Sequence, residues 1–158
     1  MAAPGSNVAR VQAVLAAHGL GLEVREFSAS TRTAADAAAA IGCSVAQIAK
    51  SILFKAKPSL RPILVVASGA NRVNEQVIAA HLGEALGKAD AEYVRAQTGF
   101  AIGGVPPIGH VRAPVSYIDT GLMAFAEIWA AAGTPHSVFR LTPADLVRLT
   151  GGTVMVVS

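Results

Sequence analysis

Two apolar runs, Lys50-Ser-Ile-Leu-Phe-Lys-Ala56 and Pro62-Ile-Leu-Val-Val-Ala-Ser68, are joined by a turn at Lys57-Pro58-Ser59. Short stretches rich in branched side chains and bounded by turn residues read as strands, and so short a connection makes them an antiparallel pair. Neither run alternates polar with apolar residues, so both are expected to be buried on two faces. Other elements of the chain must then cover that pair.

Helical signals supply the cover. Ser6 stands ahead of Val8, Val11 and Leu15 at helical spacing, with Gly19 as a C-terminal stop. An extended segment, Leu22 to Phe27, precedes Thr33-Ala34-Ala35-Asp36, which caps an alanine-rich helix ending near Gly42, and Ser44 to Gln47 repeats the capping signal. Further helices are predicted around Asn74 to Leu82, Ala91 to Gln97 and Leu122 to Ala132. A last one is opened by Thr142-Pro143-Ala144-Asp145, and strands are predicted at Val115 to Ile118 and Thr153 to Val157. Phe125 and Trp129, four apart on one of these helices, are expected in the core rather than as a stacking platform. Helices and strands intermix without strict βαβ alternation, so the expected fold is a mixed α+β arrangement with a mixed sheet flanked by helices. At 158 residues the chain is expected to form one domain spanning 1–158.

Composition removes several function classes. Hydrophobic residues make up 53% of the chain and mean hydropathy is +0.49, yet no apolar run approaches the roughly 18 residues of a membrane span. The opening MAAPGSNVAR lacks a basic segment followed by an apolar one, so a cytoplasmic protein without a membrane partner is expected. Cys43 is the single cysteine, which excludes an internal disulfide and a multi-thiolate metal site. His18, His81, His110 and His136 have no HxxxH or HExxH spacing, and phosphate-loop, dinucleotide and GxSxG motifs are absent. A net charge of +3 permits an anionic partner but is below that of a dedicated duplex-DNA binder.

Two features carry chemical content. Lys50 opens a buried strand on the same face as Ile52 and Phe54, which suits either a frayed strand end that snorkels into water or a pocket lysine meeting an anion or carbonyl. Ala101-Ile-Gly-Gly-Val-Pro-Pro-Ile-Gly-His110 combines three glycines with adjacent prolines. It suits either a tight connection between buried strands or a stiff binding loop whose amides face a ligand. Lys55, Lys57 and Arg61 gather at the hairpin tip, as a solvated turn or as contacts for phosphates.

The order Thr33-Ala-Ala-Asp-Ala-Ala, Gln47-Ile-Ala-Lys50-Ser-Ile-Leu-Phe, Thr98-Gly-Phe-Ala-Ile-Gly-Gly-Val-Pro-Pro-Ile-Gly109-His110 and Tyr117-Ile-Asp119 resembles the YbaK family. These are free-standing relatives of the editing domain inserted in bacterial prolyl-tRNA synthetases, and the resemblance covers nearly the whole chain. It implies a compact α/β fold with a curved, mainly antiparallel mixed sheet around a pocket. It also implies hydrolysis, in trans, of the ester of a mischarged aminoacyl-tRNA. Lys50 matches the family's pocket lysine, and Gly103, Gly104, Pro107 and Gly109 match its glycine-proline loop. The expected partners are the 3′ aminoacyl-adenosine end of a misacylated tRNA, of tRNA(Pro) or another tRNA, and an aminoacyl-tRNA synthetase.

An aminoacyl ester is already activated, so a positioned water and donors for the oxyanion suffice, with no protein nucleophile, metal or cofactor. On that basis Lys50 anchors the terminal phosphate or the acyl carbonyl, and the Gly103 and Gly104 amides meet the carbonyl oxygen. His110 orders the loop or a water and Asp119 holds the loop or a basic side chain. Thr33, Ser51, Pro106, Pro107 and Gly109 complete the substrate-binding set. Pro106-Pro107 and His110 stand where the cysteine-clearing branch carries Ser-Pro, a glutamine and basic residues, and so resemble branches that clear alanine, serine, threonine or other small residues. Two other readings stay open: a non-catalytic tRNA- or synthetase-binding module, and a small-molecule ester hydrolase built on Ser116, His110 and Asp119.

Overall fold

The computed structural model describes residues 6–158, and the first five residues, on which part of the reading of the N-terminal stretch rests, lie outside the described residues. Five helices, α1 (Asn7–Ala17), α2 (Ala34–Ile41), α3 (Glu75–Leu82), α4 (Ala91–Thr98) and α5 (Pro143–Thr150), accompany eight strands. The strands are β1 (Val24–Glu26), β2 (Ile48–Lys57), β3 (Pro62–Ser68), β4 (Ala85–Lys88), β5 (Val115–Asp119), β6 (Ile128–Ala131), β7 (Ser137–Leu141) and β8 (Thr153–Met155). They form one mixed sheet in the order β1-β7-β6-β2-β3-β5-β8, with β4 added to the far end of β2.

The capping signals act where the sequence places them. Ser6 Oγ accepts from Ala9 N at 3.1 Å and Thr33 Oγ1 accepts from Asp36 N at 3.0 Å. Thr142 Oγ1 accepts from Asp145 N at 3.1 Å. Each oxygen satisfies a main-chain donor that the helix itself leaves orphaned.

The hairpin of β2 and β3 lies at the centre, in antiparallel register from Ala49 opposite Ser68 to Lys55 opposite Pro62. Every residue of β3 is buried. Leu64 and Val66 enter a core with Val11 and Leu15 of α1, Val94 of α4 and Leu146 of α5. Ile63, Val65 and Ala67 enter a second core with Ile78 of α3 and Tyr117. The period of two thus feeds two cores at once from β3, which is why that run shows no polar alternation. Strand β2 departs from the expected two-sided burial, being half-buried at Lys50 to Ile52, Phe54 and Lys55.

Residues 122–132 depart from the predicted helix. Asp119 Oδ1 accepts from Gly121 N at 2.9 Å and starts a 3-10 turn over Thr120–Ala124, after which β6 pairs parallel to β2 and antiparallel to β7. Ile128 and Ala130 enter one core while Trp129 enters another with Ile48 and Val138. The alanines favour a helix intrinsically, and two flanking strands override that preference. Strands β4 and β7 are additions to the predicted set, and β2 begins two residues before Lys50, so Lys50 is no frayed end. Among the described residues no helix is long and apolar enough to cross a membrane.

Candidate active site

Strand β2 has two different partners along its second edge. Ile48 and Ala49 pair with β6, and Phe54 to Lys57 pair with β4, which leaves Lys50 to Leu53 without a strand neighbour on that side. Ile48 O accepts from Gly69 N and Ala56 N donates to Arg61 O, so even-numbered main-chain groups of β2 are turned toward β3. By the alternation of an antiparallel ladder, the amides and carbonyls of Ser51 and Leu53 point into the gap.

The glycine-proline loop faces this gap. Ile102, Gly103 and Val105 line two cavities that meet along Ser51 and Ile52, one of about 420 Å³ and one of about 350 Å³. The larger is lined by Lys50, Ser51, Thr33 and Arg32, with small walls at Ala34, Ala37, Ala49 and Ala130 and larger ones at Trp129 and Val138. Its two charged lining residues, Arg32 and Lys50, are both cationic. Lys50 Nζ donates to Asn71 O at 3.3 Å, and Ser51 Oγ is buried with no protein partner.

Gly103 has φ +94°, and a Cβ there would lie 2.6 Å from Arg32 Cγ. Both the backbone conformation and the stacked Arg32 side chain therefore require glycine. Gly104 has a different reason. A Cβ on it would sit 2.7–2.9 Å from the main chain of Thr134, and its N–H already donates to Ala101 O at 3.1 Å. Gly104 is a packing glycine, and the expectation that its amide meets a carbonyl oxygen is corrected by that bond.

The rest of the loop turns away. Pro106 is buried, and Pro107, Gly109 and His110 line a separate cavity of about 170 Å³ with Val14, His18 and Ser116. His110 Nε2 donates to Pro106 O at 2.6 Å, which fixes the tautomer and ties the loop to itself, while Nδ1 is buried without a partner. Burial holds the imidazole below its usual pKa, with the Arg10 charge adding to the shift and the bond to Pro106 opposing it. His110 therefore orders the loop and does not reach the cavity of Lys50.

Asp119 is 2% exposed and also lies outside both larger cavities. Its oxygens accept from Ser68 N at 3.0 Å, Asn71 Nδ2 at 2.9 Å and Gly121 N at 2.9 Å. Asn71 in turn presents its carbonyl to Lys50, so the carboxylate positions the lysine through one intermediate. With its oxygens so engaged and His110 bonded to Pro106, no Ser116–His110–Asp119 triad is assembled.

Two arginines were not legible as site residues. Arg32 covers Gly103 from the residue before the Thr33 cap. Arg10 of α1 donates to Gly99 O at 3.4 Å and Gly109 O at 3.2 Å while its guanidinium lies 4.5 Å from the Phe100 ring centre, clamping both ends of the loop. Such one-residue contributions from distant segments carry no spacing signal. At the hairpin tip, Arg61 is paired with Glu84 at 2.9 Å and Lys55 Nζ lies 4.8 Å from the Tyr93 ring centre, so neither is simply solvated.

An open strand edge, Gly103 and two cationic side chains thus meet at one cavity. The chain belongs to the aminoacyl-tRNA editing domain family, whose profile matches residues 28–149. It is 35% identical over 124 residues to the uncharacterized protein YwhH of Bacillus subtilis (strain 168), covering 78% of each chain. A crystal structure of a protein proposed to be a trans-editing enzyme for prolyl tRNA synthetase superposes with TM-score 0.92 at 43% identity, covering 100% of this chain and 99% of that one. Another, the hypothetical protein APE2540, gives TM-score 0.87 at 28% identity over 94% of this chain and 98% of that one.

Proposed function

We propose that the protein hydrolyses, in trans and in the cytoplasm, the ester of a tRNA carrying a small wrong amino acid such as alanine, cysteine, serine or threonine. tRNA(Pro) is the first candidate carrier, and a synthetase that releases the mischarged tRNA is the candidate partner. The observation that carries this reading is that Lys50 and Gly103 line one alanine-walled cavity at the gap in β2. The acyl group occupies that cavity and its size is limited by Trp129 and Val138. Lys50 meets the acyl carbonyl and Arg32 the phosphate at the mouth. The main chain at Gly103 and Ser51 supplies donors for the oxyanion as water attacks, a stabilisation worth roughly 3–4 kcal/mol per donor in the oxyanion holes of serine proteases. Ser51 Oγ, unpartnered in the protein, holds the water or the substrate hydroxyl.

A panel of misacylated tRNAs tests the reading. Release of a small amino acid is expected, and Lys50→Ala is expected to remove turnover. Salt-sensitive tRNA binding without release would instead identify a docking module, and an untouched panel at micromolar protein refutes the catalytic reading.

A further inference from the structure

Trp129 is the single tryptophan of the chain and a wall of the larger cavity. It is only 6% exposed, yet a second space lies behind it. A cleft of about 170 Å³, lined by Gly21, Leu22, Glu23, Arg25, Trp129 and Arg140, shares that one lining residue with the cavity. The indole is therefore a partition between two spaces, whereas most side chains in a protein interior are backed by close-packed atoms.

Sheet register determines what stands over the indole. Arg25 of β1 pairs with Val138 of β7, and Val138 pairs with Ala131 of β6. Trp129 lies two residues before Ala131 and opposite Arg140. Paired residues project to one face of a sheet, as do residues two apart on a strand, so Arg25, Val138, Arg140 and Trp129 share a face. The Arg25 guanidinium lies 4.9 Å from the centre of the Trp129 ring, at the separation of an attractive cation–π contact. Arg140 is engaged by Glu127 at 3.6 Å, whereas Arg25 joins no ion pair among the described residues.

A partition with room on both sides has two positions open to it, and a contact made in one of them shifts the population toward that one. We propose that Arg25 is a positioning residue for substrate choice. By stacking on Trp129 from the cleft side, it keeps the indole from yielding outward and so sets the upper size limit of the acyl group. The assignment rests on the deacylase reading of the larger cavity. A fixed apolar wall separates substrates that differ by one methylene by roughly 10–200-fold, and a wall that yields loses that discrimination. Arg25 does not itself line the larger cavity, so it acts on the substrate only through Trp129.

The test compares release of alanine and of leucine from tRNA(Pro) charged with each, and reads the emission of the single tryptophan alongside. Wild type is expected to release leucine at least about 100-fold more slowly than alanine. Arg25→Ala alters an exposed side chain. It is expected to raise leucine release by about tenfold or more while alanine release stays within about twofold. Acrylamide quenching of Trp129 emission, measured without substrate, is expected to increase in the same variant. Arg25→Lys, which keeps the charge but loses the planar face, is expected to fall between the two. Unchanged quenching, an unchanged ratio of the two rates, or a parallel fall in both overturns the assignment. A wild-type protein that releases neither amino acid loses the deacylase reading and the size limit with it. One that releases alanine, with a ratio that Arg25→Ala leaves alone, loses the size limit only.

Discussion

The two ends of the glycine-proline loop differ in what they face. Gly103 lies against Arg32 and lines the gap in β2, whereas Pro107 to His110 turn toward α1 and a separate small cavity. Between them, Gly104 to Ile108 are buried without a break. In the proposed reaction only the first end meets the substrate, and the second holds it in place. A binding loop of this kind is rigid because most of its residues belong to the core, and the ligand sees a short exposed lip.

The sharpest test of that division is a stability measurement on the variant that removes turnover. Lys50→Ala should lower kcat/KM by about 100-fold or more, the scale of losing a transition-state donor. Its melting temperature should stay within a few degrees of wild type, since the lysine makes one long contact to Asn71. A large fall in stability would break the separation between chemistry and support.

Gly104→Ala should do the opposite. Its new methyl would meet the Thr134 main chain, which has no flexible end to move, and overpacking of this kind costs about 1–3 kcal/mol. Thermal unfolding should record that loss, with activity falling because Gly103 shifts too.

Arg10→Met should act more gently, removing two hydrogen bonds to loop carbonyls while keeping some packing on Phe100. A kcat about fivefold to tenfold lower with little change in KM is expected, the signature of a positioning residue. Arg10→Lys should recover only part of it, because an ammonium cannot fork to both carbonyls.

The smallest effect concerns pH. The folded protein holds His110 below its usual value of 6.5, so the unfolded chain takes up the proton first as pH falls. Stability from this group is therefore complete above about pH 6.5 and lost progressively below it. Denaturant midpoints from pH 8 to 5 should fall, and His110→Gln should flatten part of the fall. A steeper slope in the variant would remove His110 from the supporting end of the loop.

Much of this fold was legible because its signals are local. The caps at Thr33 and Thr142 and the two-sided burial of β3 follow from a few adjacent residues. That Lys50 and Gly103 would line a cavity was legible for the same reason, one being a charge in an apolar run and the other a glycine in a stiff loop. The alanine-rich stretch of β6 was not, since its conformation is set by neighbours that arrive from elsewhere in the chain. His110 was misplaced by its nearness in sequence to Gly103, because the intervening prolines carry the chain to another face. Arg10 and Arg32 enter the site through tertiary contacts alone. Gly104 looked like a donor because a sequence cannot show that its N–H is already engaged with Ala101.

The interruption along β2 also bears on how the molecule avoids its own kind. Unpaired ladder groups invite another chain to add a strand, a hazard that proteins normally limit by shortening, charging or covering their edges. Here the free stretch is only Lys50 to Leu53, with β6 and β4 closing the edge on either side and a buried loop above it. An incoming strand finds too little length to register. The protein can thus keep main-chain donors and acceptors open along this stretch without becoming a template for aggregation.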